Sequence, residues 1–198
     1  DYPTYSDGPG FERTGLEFSA KTAFTFLPWL LRSTGADYNE STLSSSQQLQ
    51  PTLDPVTGDV MKPLNESDYF RNVSIWYDDG RTNARISYQA RGEQFTCITP
   101  CSGNTDQRNP PGQELTQNNL PYNPGSPRFQ DETKYVDAKI AHNLTPNLQI
   151  FLEGRNLNKQ GQTVSNGEYE PFAGGTPKVF KVGYGGRRAA TGFTFKFQ

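Results

Sequence analysis

The sequence predicts an all-β protein: an antiparallel meander that forms the last strands of a transmembrane β-barrel, partial and open-edged in this chain. Three observations carry that expectation. Apolar and polar residues alternate with period two in segment after segment, the pattern of strands with one apolar and one polar face. The connections between those segments alternate short and long. The polar positions are often charged, and a dry core would hold those charges only at high cost.

The elements follow in order. "GLEFSAKTAFTF" (15–26) puts Leu16, Phe18, Ala20, Thr22, Phe24 and Phe26 on one face, against Glu17, Ser19, Lys21, Ala23 and Thr25. A weaker, polar strand is expected around 33–46. "RNVSIWY" sets Val73, Ile75 and Tyr77 against Ser74 and Trp76, and "NARISYQA" sets Ala84, Ile86, Tyr88 and Ala90 against Arg85, Ser87 and Gln89. "YVDAKIAH" sets Val136, Ala138 and Ile140 against Asp137 and Lys139. "NLQIFLEGRNL" sets Leu148, Ile150 and Leu152 against Gln149, Phe151, Glu153 and Arg155. A seventh strand starts after Lys178 and ends in "TGFTFKFQ", where Phe193, Phe195 and Phe197 alternate with Thr194, Lys196 and Gln198. Helical periodicity is nearly absent.

The short connections "LPWLLRS", "DDGR" and "LTPN" contain Pro28, Gly80 and Pro146, which supply turn chemistry. The long ones, about 47–68, 96–128 and 159–177, are rich in Gly, Pro, Asn, Gln and Ser. A compact soluble domain seldom carries several long structureless loops. A short–long alternation sends every long loop to one end, as in outer-membrane barrels with short periplasmic turns. On this reading Lys139, Glu153, Arg155 and Lys196 face a hydrated lumen, and Ile140, Ile150, Phe193 and Phe195 face lipid. Backbone groups inside lipid must all be paired, so the barrel must close. Seven strands are odd and too few, so the chain is expected to be part of a larger barrel. Its start, "DYPTYSDGPG", reads as loop in mid-sequence.

Composition narrows the function. Of 198 residues, 32% are in the set AVILMFWYC and mean hydropathy is -0.79, thin for a soluble core. Yet 13 Phe, 10 Tyr and 2 Trp with a net charge of -2 do not fit disorder. Near-balanced charge without a long basic run gives nucleic acid no support as a partner. No run of about 18 apolar residues exists, so no transmembrane helix is expected. One histidine, His142, beside an expected short turn, reads as a surface group. There is no nucleophile–base–acid set, so neither an enzyme nor a cofactor nor a metal site is expected.

Cys97 and Cys101, in "FTCITPCSG", suggest a small loop disulfide and an oxidising compartment; two free thiols are the alternative. "GYGGRR" (183–188) lacks the Lys-Ser/Thr of a phosphate loop and a following helix, and reads as strand glycines near a barrel rim. Tyr122, Tyr169 and Phe172 lie in long polar loops, where they would stack on a sugar or siderophore or else cover the loop's own interior.

The order of these segments resembles a known family. "YVDAKIAHNLTPNLQIFLEGRNLNKQ" resembles the penultimate hairpin of TonB-dependent outer-membrane receptors, and "YGGRRAATGFTFKFQ" their final strand. "NVSIWYDDGRTNARISYQAR" is similar to the hairpin before these, and "RTGLEFSAKTAFTFLP" to the strand that opens the region. The resemblance covers nearly the whole chain. It implies the last seven strands of a 22-stranded, plugged barrel in the bacterial outer membrane. It also implies uptake of a scarce nutrient (a ferric siderophore, cobalamin or an oligosaccharide) energised by the TonB complex. The plug and the TonB-binding segment are absent from this chain, and Gln198 stands where the family usually ends in an aromatic residue. Two other readings stay open: a complete small outer-membrane barrel with a structural or adhesion role, and a secreted β-sandwich that binds carbohydrate. The first needs an even strand count, which a strand hidden in 47–68 or 159–177 would supply. The second needs a second sheet packed on the apolar face.

Overall fold

The structure, a computed structural model, describes residues 10–47, 53, 59–98, 127–166 and 179–197. Within them lie eleven strands: Phe11–Ala23 (β1), Thr34–Gln47 (β2), Tyr69–Asp78 (β3), Thr82–Arg91 (β4), Gln94–Ile98 (β5), Pro127–Gln130 (β6), Thr133–Thr145 (β7), Leu148–Arg155 (β8), Gly161–Asn166 (β9), Val179–Tyr184 (β10) and Arg188–Phe195 (β11). The helical content among the described residues is a 3-10 turn at Trp29–Ser33. No helix there is long and apolar enough to cross a membrane.

Seven strands form one antiparallel sheet in the order β1-β2-β3-β4-β7-β8-β11. Neighbours in sequence are neighbours in space, the expected meander. β1 and β11 are its two edges and do not pair with each other, so the sheet is open. The other four form a second sheet in the order β5-β6-β9-β10. This is the order of β4, β7, β8 and β11 repeated. Each of those long strands is therefore interrupted once and continues into the small sheet.

The interruptions lie side by side, at 92–93, 131–132, 156–160 and 185–187. Hydrogen bonds to side chains replace the ladder there. Asn156 has φ 53, a conformation Asn tolerates better than most residues. Its Nδ2 donates to the carbonyls of Gln160 and Gly186, both at 2.9 Å. Its Oδ1 accepts the Gln160 amide at 2.7 Å, and Asp137 Oδ1 accepts its own amide at 2.8 Å. Across the seam, Asp131 donates its amide to the Thr163 carbonyl and accepts the Ser165 hydroxyl.

The short turns are built as their residues suggest. Between β3 and β4, Gly80 takes φ 82, Asp78 accepts the Gly80 amide, and Asp79 Oδ1 accepts the amides of Arg81 and Thr82. Those amides, with the Tyr77 hydroxyl, hold the Asp79 carboxyl below the usual aspartate range, the Thr82 amide contributing most. Between β7 and β8, the Thr145 hydroxyl accepts the Leu148 amide at 3.0 Å. Both turns and the 3-10 turn lie at one end of the sheet, because successive strands run in opposite directions. The strand ends that border 48–68, 99–126 and 167–178 lie at the other end.

Two expectations are corrected. The first strand ends at Ala23 rather than 26: the Phe24 amide bonds the Thr34 carbonyl and the Leu27 amide bonds the Phe24 carbonyl, turning the chain before Pro28. The connections 96–128 and 159–177 are not wholly loop, since β6 begins at Pro127 and β9 fills Gly161–Asn166. β9 joins the small sheet, so the large sheet stays at seven strands.

Candidate functional site

Directly paired residues share a face, so the registers assign every side chain of the large sheet. One row reads Ala23, Gly35, Trp76, Arg85, Lys139, Glu153, Ala190. The face it belongs to is polar and interlinked. Asp37 accepts from Arg85 at 3.0 Å and from Trp76 Nε1 at 3.2 Å, and Lys21 lies 3.9 Å away. Arg85 also donates to the Ser74 hydroxyl at 2.7 Å, and Ser74 is buried. Glu153 pairs with Arg155, and the Lys139 ammonium lies 5.7 Å from the Phe151 ring. Gly35 is needed here: a Cβ would meet the Trp76 ring at 2.1 Å.

The opposite face carries every apolar stripe read from the sequence. Ile140 pairs with Ala84 and Leu152, Ile150 with Phe193 and His142, and Phe195 with Leu148. These side chains are exposed: Leu16 and Phe193 are each 72% accessible and Ile75 is 61%. A Leu, Ile or Phe left uncovered forgoes roughly 1.5–3 kcal/mol of burial free energy. Buried apolar side chains are few among the described residues: Met61, Ala90, Phe95 and Ala141. The sheet therefore carries its bonded polar groups on one side and an apolar side that is uncovered among the described residues.

The apolar band runs obliquely to the hydrogen-bonded rows. The row Phe18, Glu40, Arg71, Ala90, Lys134 is apolar at β1 and charged toward β7. The row Thr82, His142, Ile150, Phe193 is polar at β4 and apolar toward β11. Above the band, Glu40 takes hydrogen bonds from Tyr38 and Arg71. Below it, the His142 ring nitrogen meets the Thr82 hydroxyl at 2.8 Å.

Of the residues singled out in the sequence, Lys139, Glu153 and Arg155 lie together on the polar face. Lys196 lies one residue past β11, its amide bonding the Asn147 carbonyl. Ile140, Ile150, Phe193 and Phe195 lie on the apolar face. Cys97, in β5, is disulfide-bonded. Cys101, Tyr122, Tyr169 and Phe172 lie outside the described residues. Among the described residues no group of three or more His, Cys, Asp or Glu is placed to hold a metal ion.

Sequence reasoning missed a pocket at the seam. It opens on the polar face between the ends of β8 and β10, has a volume of about 510 Å³, and is lined by Tyr135, Asp137, Arg155, Asn156, Tyr184 and Arg188 among others. The signal was present in "GYGGRR", whose glycines and second arginine form part of its wall.

No family model, curated protein or solved structure matches the chain.

Proposed function

We propose that this chain is the C-terminal barrel segment of a TonB-dependent receptor in the bacterial outer membrane. Its apolar face lies against lipid and its polar face toward a hydrated lumen. A plug and a TonB-contacting segment, outside this chain, complete the importer of a scarce nutrient such as a ferric siderophore, cobalamin or an oligosaccharide. The sequence resemblance supports the family, and the oblique band on the exposed apolar face carries the membrane reading.

The band has a geometric meaning. The Phe18 row and the Phe193 row cross β7 at Lys134 and His142, about 26 Å apart at ~3.3 Å per residue. The sheet spans about 29 Å from β1 to β11 at ~4.8 Å per strand spacing. A band level with a membrane then requires strands tilted by roughly 40°, within the range of outer-membrane barrels. A sandwich would need a second sheet over this face. The small sheet instead extends the strands end to end, and the face is bare among the described residues.

The test is folding of the complete polypeptide that closes the barrel around this chain, in phospholipid vesicles and in plain buffer, followed by gel mobility with and without heating. The proposal expects a heat-sensitive folded band with vesicles and aggregation without them. A folded, monomeric chain in plain buffer would overturn it.

A further inference from the structure

The pocket at the seam brings two arginines side by side. Arg155 of β8 and Arg188 of β11 are direct cross-strand partners, which puts their Cα atoms about 5 Å apart. Like charges placed directly opposite destabilise a sheet. Arg155 is offset by Glu153. The Arg188 side chain has no hydrogen bond or ion pair among the described residues. The acid in the wall, Asp137, has one oxygen committed to the Asn156 amide. The Arg188 guanidinium thus stands without a bonded partner at the mouth of a pocket whose volume suits a small-molecule ligand.

The rest of the lining says what accompanies the anion. Gln89 and Gln162 bring amides, which donate and accept in one plane, while that of Gln160 is committed to the Lys134 amide and the Gly161 carbonyl. Tyr184 is 85% accessible and offers a bare ring. A ring face is electron-rich and receives the C–H edges of a sugar. Gly183, Gly185 and Gly186 keep this part of the wall free of side chains; a Cβ on Gly186 would meet nothing within 4 Å. Arginine's planar fork matches a carboxylate.

We infer that this pocket binds an acidic oligosaccharide, the carboxylate of one unit held between Arg155 and Arg188 and a sugar ring lying on Tyr184. The site itself stands on the pocket's geometry; its use as an import site rests on the function proposed above, whose ligand class it narrows.

Calorimetry on the full chain, folded in detergent micelles or in plain buffer as it requires, tests this with trigalacturonate, maltotriose and citrate. Trigalacturonate is expected to bind at least tenfold more tightly than either other probe, and to lose at least tenfold in affinity in Arg188→Gln and in Tyr184→Ala. Arg188→Gln breaks no side-chain contact among the described residues and relieves the repulsion with Arg155, so its circular dichroism should match the parent and its melting should not fall below it. The inference fails if trigalacturonate does not bind, binds Arg188→Gln equally well, or is matched by maltotriose or by citrate. A chain that binds it but folds without lipid sinks the import role alone. One that enters bilayers without binding it sinks the pocket alone.

Discussion

The two sheets share four interrupted strands and differ in how they treat apolar side chains: the small sheet covers those of β5 and β6 and exposes Val179, Val182 and Tyr184 of β10, while the large sheet leaves its whole apolar stripe bare. In the small sheet, Phe95 is 2% accessible, its ring 5.8 Å from that of Phe129, and Pro127 is fully buried. In the large sheet, Phe193, Ile75 and Leu16 stand bare. Only a few residues of one strand separate the two regimes, so backbone propensity is not the cause. The proposed reading explains the change by the solvent: the small sheet lies in water beyond the bilayer, and the large one meets hydrocarbon. The row of interruptions, with its buried Asn156 and with Thr133 and Ser165 buried in the strands beside it, then marks the boundary between them.

The contrast can be tested by substitutions on either side of the seam. The largest effect is expected in the small sheet. Phe95→Ala removes a buried ring and should cost about 3–5 kcal/mol of its local stability. Hydrogen exchange of the β5 and β6 amides would read this, while Phe193→Ala should leave exchange in β11 nearly unchanged in micelles. Equal effects at the two sites would break the comparison.

Next come two neighbours on β7 that point to opposite faces. Ile140→Arg places a charge on the apolar band and should cost roughly 2–4 kcal/mol in a bilayer. Lys139→Gln, on the polar face, should stay within about 0.5 kcal/mol. Equilibrium unfolding from vesicles measures both, and a reversed order would mean that the faces are assigned the wrong way round.

A somewhat smaller loss is expected at the seam itself. Asn156→Ala strips the partner from the Gln160 amide and two carbonyls, at a cost of about 1–3 kcal/mol. Faster exchange of the Gln160 amide with unchanged exchange in β3 would localise the damage.

The smallest effect concerns pH at the β3–β4 turn. Asp79 titrates below its ordinary value in the folded chain, chiefly because of the Thr82 amide. Its stabilisation is complete above the unfolded aspartate value of about 4 and is lost as pH falls through the lower folded value. Lowering the pH from about 5 to about 2.5 should therefore weaken the parent more than Asp79→Asn, which lacks the contribution throughout. Parallel slopes of unfolding midpoint against pH would remove Asp79 from this account.

The large sheet was legible because its two faces differ so sharply. Phe193, Phe195, Ile150 and Ile140 keep strict period two, and once the order is a meander their faces follow. The small sheet was hidden because "QFTCI", "PRFQ" and "GQTVSN" are short and lack that alternation. Phe24 and Phe26 extended the first stripe beyond its strand, since periodicity alone does not report the turn that Phe24 begins. Pairing across strands was also out of reach: Gly35 beneath Trp76 and Arg155 opposite Arg188 depend on register, which single stripes do not specify. The seam pocket was missed for the same reason, its wall drawn from β4, β7, β8 and the 183–188 segment.

The seven-stranded order has a consequence of parity. In an antiparallel sheet with an odd number of strands, the two edge strands run the same way; here β1 and β11 both point toward the short turns. They cannot zip together without a parallel seam. A second copy in the same orientation would meet the same mismatch, because its own edges also point toward the turns. Antiparallel closure takes an odd number of further strands whose first and last run from the short turns toward the long connections. Their direction thus acts as a filter on assembly, rejecting like-oriented copies and accepting a complementary run of chain, while the edge amides and carbonyls that have no strand partner among the described residues supply the template for it.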